Sequence, residues 1–104
     1  MNKVEGILGL AFKAKKLLVG ETEVLLGFKR GKIEGVILAV NTSEKQKKKI
    51  ELLAKEQGTL VVNWGTKEEI GRILNRRPTG ILGFQDRGFW QKFLKEIGND
   101  QGVN

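Results

Sequence analysis

The chain has 104 residues, 39% hydrophobic and 30% charged, with a formal net charge of +7 and a sequence pI near 9.9. That length supports one domain with its own core, and the absence of cysteine excludes disulfides and thiolate-held metals. No run approaches the ~20 apolar residues of a membrane span. Residues 1–16 are interrupted by glycines and charges and so lack the unbroken apolar stretch of a secretory signal; a cytoplasmic protein is expected.

Val4, Ile7, Leu8 and Ala11 follow i, i+3, i+4, i+7 spacing, which predicts an amphipathic helix over 3–15. Leu17-Leu18-Val19 reads as a brief strand ended by Gly20. A second helix is expected over 21–30, burying Val24, Leu25 and Phe28, with Gly31 as its stop. The apolar run from Gly35 to Val40 fits a strand covered on both faces. Ser43-Glu44-Lys45-Gln46 has the pattern of a capping box and opens a third helix, which Gly58 closes. Thr59-Leu60-Val61-Val62-Asn63 reads as another buried strand, and Thr66-Lys67-Glu68-Glu69 as a second capping box before a helix packing Ile70, Ile73 and Leu74. Ile81-Leu82-Gly83-Phe84 is the last strand. A final helix over 88–97 buries Phe89, Phe93, Leu94 and Ile97, with Trp90 read as packing. Residues 1–98 thus form a single domain and 99–104 a flexible tail. The alternation of helices and strands predicts an α/β fold, a three-layer α/β/α sandwich with a mixed, largely parallel four-stranded sheet.

The residue inventory argues against an enzyme. There is no His, Cys or Tyr, and the only serine, Ser43, is a helix cap, so no Ser-His or Cys-His nucleophile can be assembled. Neither a metal nor a cofactor site is indicated. Gly27-Phe28-Lys29-Arg30-Gly31-Lys32 resembles a P-loop superficially, but its glycines are one residue too close and Ile33 stands where Ser or Thr would bind magnesium.

The basic excess is spread through the body of the chain and suits a polyanionic partner, although solubility alone also accounts for positive charge. Two helix starts could serve such a partner. At Gly20-Glu21-Thr22-Glu23, free N–H groups attract phosphate and Glu23 can accept from base amino groups; the plain alternative is that the acids complement the helix dipole. At Trp64-Gly65-Thr66-Lys67 an indole either stacks on an unpaired base or covers the end of the core.

The sequence also resembles the ribosomal L-seven-Ae family of kink-turn-binding proteins, in its small bacterial branch. The resemblance spans residues 4–97 and is carried by Ile7-Leu8-Gly9-Leu10-Ala11 with Lys15-Lys16-Leu17, by Gly20-Glu21-Thr22-Glu23 and by Arg30-Gly31-Lys32. It continues through Val36-Ile37-Leu38-Ala39, the run from Gly65 to Arg72, and Arg76-Arg77-Pro78. It implies a three-layer α/β/α sandwich that recognises kink-turns, sharply bent RNA elements with tandem sheared G·A pairs. Of the family motif Gly-x-Asn-Glu-x-x-Lys, Gly20 and Glu23 match, while Thr22 stands in place of Asn and Leu26 in place of Lys.

Taken together, the expectation is a non-catalytic RNA-binding protein of ribosomal type. Its partner would be structured RNA, within the ribosome or another ribonucleoprotein, with no membrane and no small-molecule substrate. Phosphate contacts would come from Lys15, Lys16, Lys29, Lys32, Lys67, Arg76 and Arg77, and base contacts from Thr22 and Glu23. Trp64 would supply stacking, and Gly20, Glu21, Gly65 and Thr66 the backbone around it. The second reading is a protein-interaction or ribosome-assembly factor that keeps the fold and has lost specific kink-turn recognition, with Leu26 and Trp64 as an apolar patch.

Overall fold

A computed structural model describes residues 2–100, with side chains to Gly98. The elements are α1 (Lys3–Lys13), β1 (Leu17–Val19), α2 (Glu21–Lys29), β2 (Gly35–Leu38), α3 (Glu44–Gln57), β3 (Leu60–Asn63), α4 (Lys67–Leu74), β4 (Ile81–Phe84) and α5 (Arg87–Asp100). The strands form one sheet in the order β1-β4-β2-β3.

Side-chain alternation along the strands splits the core into two layers. Ile37, Leu82 and Phe84 pack with Val4, Leu8 and Ala11 of α1, Ile70 and Leu74 of α4, and Trp90 and Phe93 of α5. On the other face Val36, Leu38 and Ile81 pack with Val24 and Phe28 of α2 and Ile50 and Ala54 of α3. The three-layer sandwich is therefore as expected, and Trp90 is core, stacked on Phe93 with ring centroids 5.6 Å apart.

The strand directions differ from the expectation of a largely parallel sheet. Only β2–β3 is parallel; β4 runs antiparallel to both of its neighbours, β1 and β2. The cause lies after α4. Asn75 takes a left-handed conformation (φ 56) and reverses the chain. Residues 76–79 then run back along the helix that precedes them, with Arg76 N–H donating to the Gly71 carbonyl (2.8 Å) and Thr79 N–H to the Lys67 carbonyl (3.1 Å). The return closes over Gly71, where a Cβ would meet the Arg77 carbonyl oxygen at 2.6 Å. An eight-residue helix spans only ~12 Å, which a few extended residues retrace. The chain is thereby delivered to the end of the sheet where α4 began, and β4 must run opposite to its neighbours.

Three smaller differences have local causes. Strand β2 stops at Leu38, and Val40, turned outward by its N–H bond to the Gly65 carbonyl (2.8 Å), is 53% exposed. Strand β3 is half-covered and not buried, because it is an edge strand paired only to β2; Leu60 is 54% exposed. Helix α5 starts one residue earlier than expected, where Asp86 Oδ2 accepts from Phe89 N–H (2.8 Å), and continues to Asp100, so residues 98–100 are helix. The tail expected over 99–104 otherwise lies outside the described residues.

Gly71→Ala should lower stability by about 1–3 kcal/mol, read as a fall in the urea midpoint at unchanged slope, since the clashing atoms are backbone. A midpoint equal to wild type would contradict the close approach.

Candidate nucleic-acid interface

Because β4 is reversed, β1, β2 and β3 all finish at one end of the sheet, where β4 begins and α2, α3 and α4 start. This is the helix-start end. Helices α1, α2 and α3 finish at the other, the helix-stop end.

Gly20 is at the centre of the helix-start end. It is the N-cap of α2 at φ 97, a conformation that favours glycine, and its own N–H donates to the Ile81 carbonyl (2.8 Å). It borders two clefts that share Pro78 and Thr79. One, of 450 Å³, is lined also by Val19, Arg76 and Arg77; the other, of 260 Å³, by Glu21, Gln46, Lys67, Gly80 and Ile81.

Helix α2 begins without a side-chain cap. The other helices each have one: Asn2 accepts from Glu5 N–H, Ser43 from Gln46 N–H, Thr66 from Glu69 N–H and Asp86 from Phe89 N–H. Glu23, in the position from which a capping glutamate reaches back, instead accepts from Val19 N–H (3.2 Å). The orphan donors of α2's first turn therefore have no side-chain cap, and they lie beside the exposed side chains of Thr22 and Glu23.

Each acid at this end has a partner in the protein. Glu21 Oε1 accepts from Gln46 Nε2 (3.1 Å) and Oε2 pairs with Lys49 (3.1 Å). Those two contacts, the Gln46 hydrogen bond foremost, hold the Glu21 carboxyl below its ordinary value. The reciprocal half of the expected Ser43 capping box is not made: Gln46 Nε2 donates to Glu21, and Gln46 Oε1 accepts from the Ser43 hydroxyl (3.3 Å) in place of Ser43 N–H. Glu68 accepts from Asn41 Nδ2 (3.0 Å), which lowers its pKa, and Glu69 from Thr66 N–H (2.9 Å), completing the second capping box. Lys67 and Arg77 have no carboxylate partner among the described residues. Gly65, left-handed at φ 68, turns the chain into α4.

The expected site residues are divided by the fold. Gly20, Glu21, Thr22, Glu23, Gly65, Thr66, Lys67, Arg76 and Arg77 belong to the helix-start end or border its clefts, although the Arg76 guanidinium lies over the Phe12 ring at 5.9 Å. Trp64 is not brought to the α2 clefts. It is half-buried on the opposite face of the sheet, edge-to-face with Phe93 at 6.0 Å, and covers the end of that core layer. Lys15, Lys16 and Lys32 lie at the helix-stop end, and Lys29 is in the last turn of α2. Asn41 was not expected in the site; its Oδ1 accepts from Lys67 N–H (2.9 Å), holding the start of α4 from 26 residues away, and no local motif marks it.

Glu21 gives a pH-dependent test. A carboxylate with a lowered folded pKa contributes stability in full above its ordinary value of 4.5 and loses it as pH falls through the folded value. The stability difference between wild type and Glu21→Gln should be constant from about pH 7 to pH 5 and shrink below about pH 4.5. A difference that persists unchanged to about pH 3 would contradict the assignment.

An RNA-binding protein YlxQ from Enterococcus faecium is 28% identical over 96 residues, 92% of this chain and 91% of that protein. A Bacillus halodurans structure of unknown function superposes with a TM-score of 0.87 at 29% identity, over 93% of this chain and 98% of that one. The Giardia lamblia 15.5kD RNA binding protein shares the fold, with a TM-score of 0.74 at 20% identity, over 97% of this chain and 87% of its own. Residues 2–94 match the ribosomal protein L7Ae/L30e/S12e/Gadd45 family, and the chain belongs to that family.

Proposed function

We propose that this chain is a non-catalytic RNA-binding protein that grips structured RNA of the kink-turn kind, in ribosomal or other ribonucleoprotein particles, with its helix-start end. The observation that carries the reading is the uncapped start of α2. Every other helix start gives one of its first-turn donors a side-chain cap; those of α2 have none and are left for an anionic ligand. Membership of the family and the E. faecium RNA-binding relative support the same reading. Gly20 admits a phosphate close to the backbone. Lys67 and Arg77 flank it with unpaired positive charge, and Arg76 borders the same cleft. Glu23, steered by Val19 N–H, presents its second oxygen to a base amino group, and the Thr22 hydroxyl stands beside it.

Leu26 favours a second reading. It is 44% exposed on the α2 surface that also carries Thr22 and Glu23, at the position where the family motif has lysine. An apolar side chain there suits a protein partner in an assembly role. Salt separates the two readings: RNA held through phosphates weakens by about one log unit of affinity per log unit of salt per phosphate, and an apolar contact does not.

The test is a titration against a kink-turn RNA and its counterpart lacking the G·A pairs. Wild type should prefer the former, and Glu23→Ala should lose about tenfold or more on it while changing little on a plain duplex. Equal loss on both RNAs, or no preference in wild type, would overturn base readout at α2.

A further inference from the structure

The helix-stop end carries a second concentration of positive charge. Helices α1 and α2 both finish there in the same reversal. Lys15 N–H donates to the Phe12 carbonyl (3.0 Å) and Lys16 N–H to the Ala11 carbonyl (2.8 Å); Gly31 N–H donates to the Phe28 carbonyl (3.0 Å) and Lys32 N–H to the Gly27 carbonyl (2.9 Å). The residue at the turn is left-handed in each, φ 60 at Lys15 and φ 66 at Gly31. Glycine adopts that conformation without strain; lysine does so against its Cβ. Both turns are tied to the end of β4, through Gln85 N–H to the Lys16 carbonyl (2.9 Å) and Glu34 N–H to the Phe84 carbonyl (2.7 Å). Since β1 and β2 flank β4, the two turns stand about 10 Å apart, two strand spacings.

Lys13, Lys15, Lys16, Lys29, Arg30 and Lys32 are all exposed, and none pairs with a carboxylate among the described residues. The acids nearby are occupied: Glu34 by Arg87 (3.7 Å) and Asp86 by Phe89 N–H. None of the large exposed apolar side chains lies in these two turns; Leu60, at the same end, belongs to the edge strand β3. Complementing two helix dipoles needs one cation at each helix end; six cations, one of them held in a left-handed backbone, exceed that.

We propose that the helix-stop end is a second RNA-contacting surface, which holds phosphate backbone without reading bases. One chain then bridges two RNA segments, one at each end of its sheet. The proposal rests on the RNA-binding reading above and extends it. Strand β1 sets Lys16 and Gly20 about 13 Å apart, beyond one Debye length of ~8 Å at physiological salt, so the attraction of each end for phosphate is largely screened from the other.

The test uses the full chain, a donor-labelled kink-turn hairpin and an acceptor-labelled RNA duplex with no kink-turn. Wild type should bring the two labels together. The variant Lys15→Gln/Lys16→Gln/Arg30→Gln/Lys32→Gln should lose about tenfold or more in duplex capture, with a salt slope reduced by about three to four, and keep its hairpin affinity. Lys15→Gly should also weaken duplex capture without lowering the melting temperature, which separates lost charge from lost folding. Hairpin binding by wild type with no duplex capture would overturn the proposal, as would equal capture by the fourfold variant. Parallel loss of hairpin and duplex would also overturn it, since the two ends would then share one footprint. Duplex capture that needs the four cations, in a protein indifferent to the G·A pairs, would support this surface while overturning the kink-turn reading of the other end.

Discussion

The return of residues 76–79 along α4, closed over Gly71, is the constraint on which the architecture turns. It brings the chain back to the end of the sheet from which α4 departed, so β4 enters between β1 and β2 in the opposite direction. The three remaining strands are then parallel to one another, and the helices that follow them all start at the same end. The same return sets Arg76 and Arg77 beside Gly20 and makes Pro78 and Thr79 common to both clefts. A side chain at position 71 would press on the backbone of this segment, and the disturbance would pass directly to the cleft walls.

That arrangement sorts charge and hydrogen-bonding capacity along the sheet axis. Helix starts gather unsatisfied N–H donors and helix stops gather carbonyls. At the starts, every helix except α2 has a side-chain cap, and the acids Glu21, Glu23, Glu68 and Glu69 each accept a hydrogen bond within the fold, Glu21 also pairing with Lys49. What is left around Gly20 is the uncapped start of α2, the exposed Thr22 and Glu23 side chains and the cations Lys67 and Arg77. At the stops, lysines and Arg30 crowd the turns after α1 and α2. Both ends of the sheet therefore carry basic groups, in addition to those spread along α3.

Local chemistry carried most of the fold into the sequence. The Ser43 and Thr66 starts, the Gly31 and Gly58 stops and the apolar runs of β2 and β4 each follow from interactions within a few residues, and each is found where its motif stands. The direction of β4 was not legible, because it depends on a packing contact between Gly71 and a segment beyond the helix end. The division of the basic residues was hidden for a related reason. Lys16 and Gly20 are four residues apart in the sequence, but a strand lies between them and carries the chain about 13 Å across the sheet. The Trp64 ring likewise follows the pleat, on the same side as Val62, onto Phe93. Asn41 and Gln46, which hold the starts of α4 and α2, act across 26 and 25 residues and leave no local signature.

The central claim is that the helix-start end around Gly20 is where RNA binds. The most direct measurement is an amide ¹H–¹⁵N correlation spectrum of the full chain, followed through addition of one equivalent of kink-turn RNA. The account predicts that the largest changes cluster at residues 20–23, 65–67 and 76–80. Changes confined to the outer faces of α1, α3 and α5, with the amides of Gly20, Thr22 and Glu23 unmoved, would contradict it.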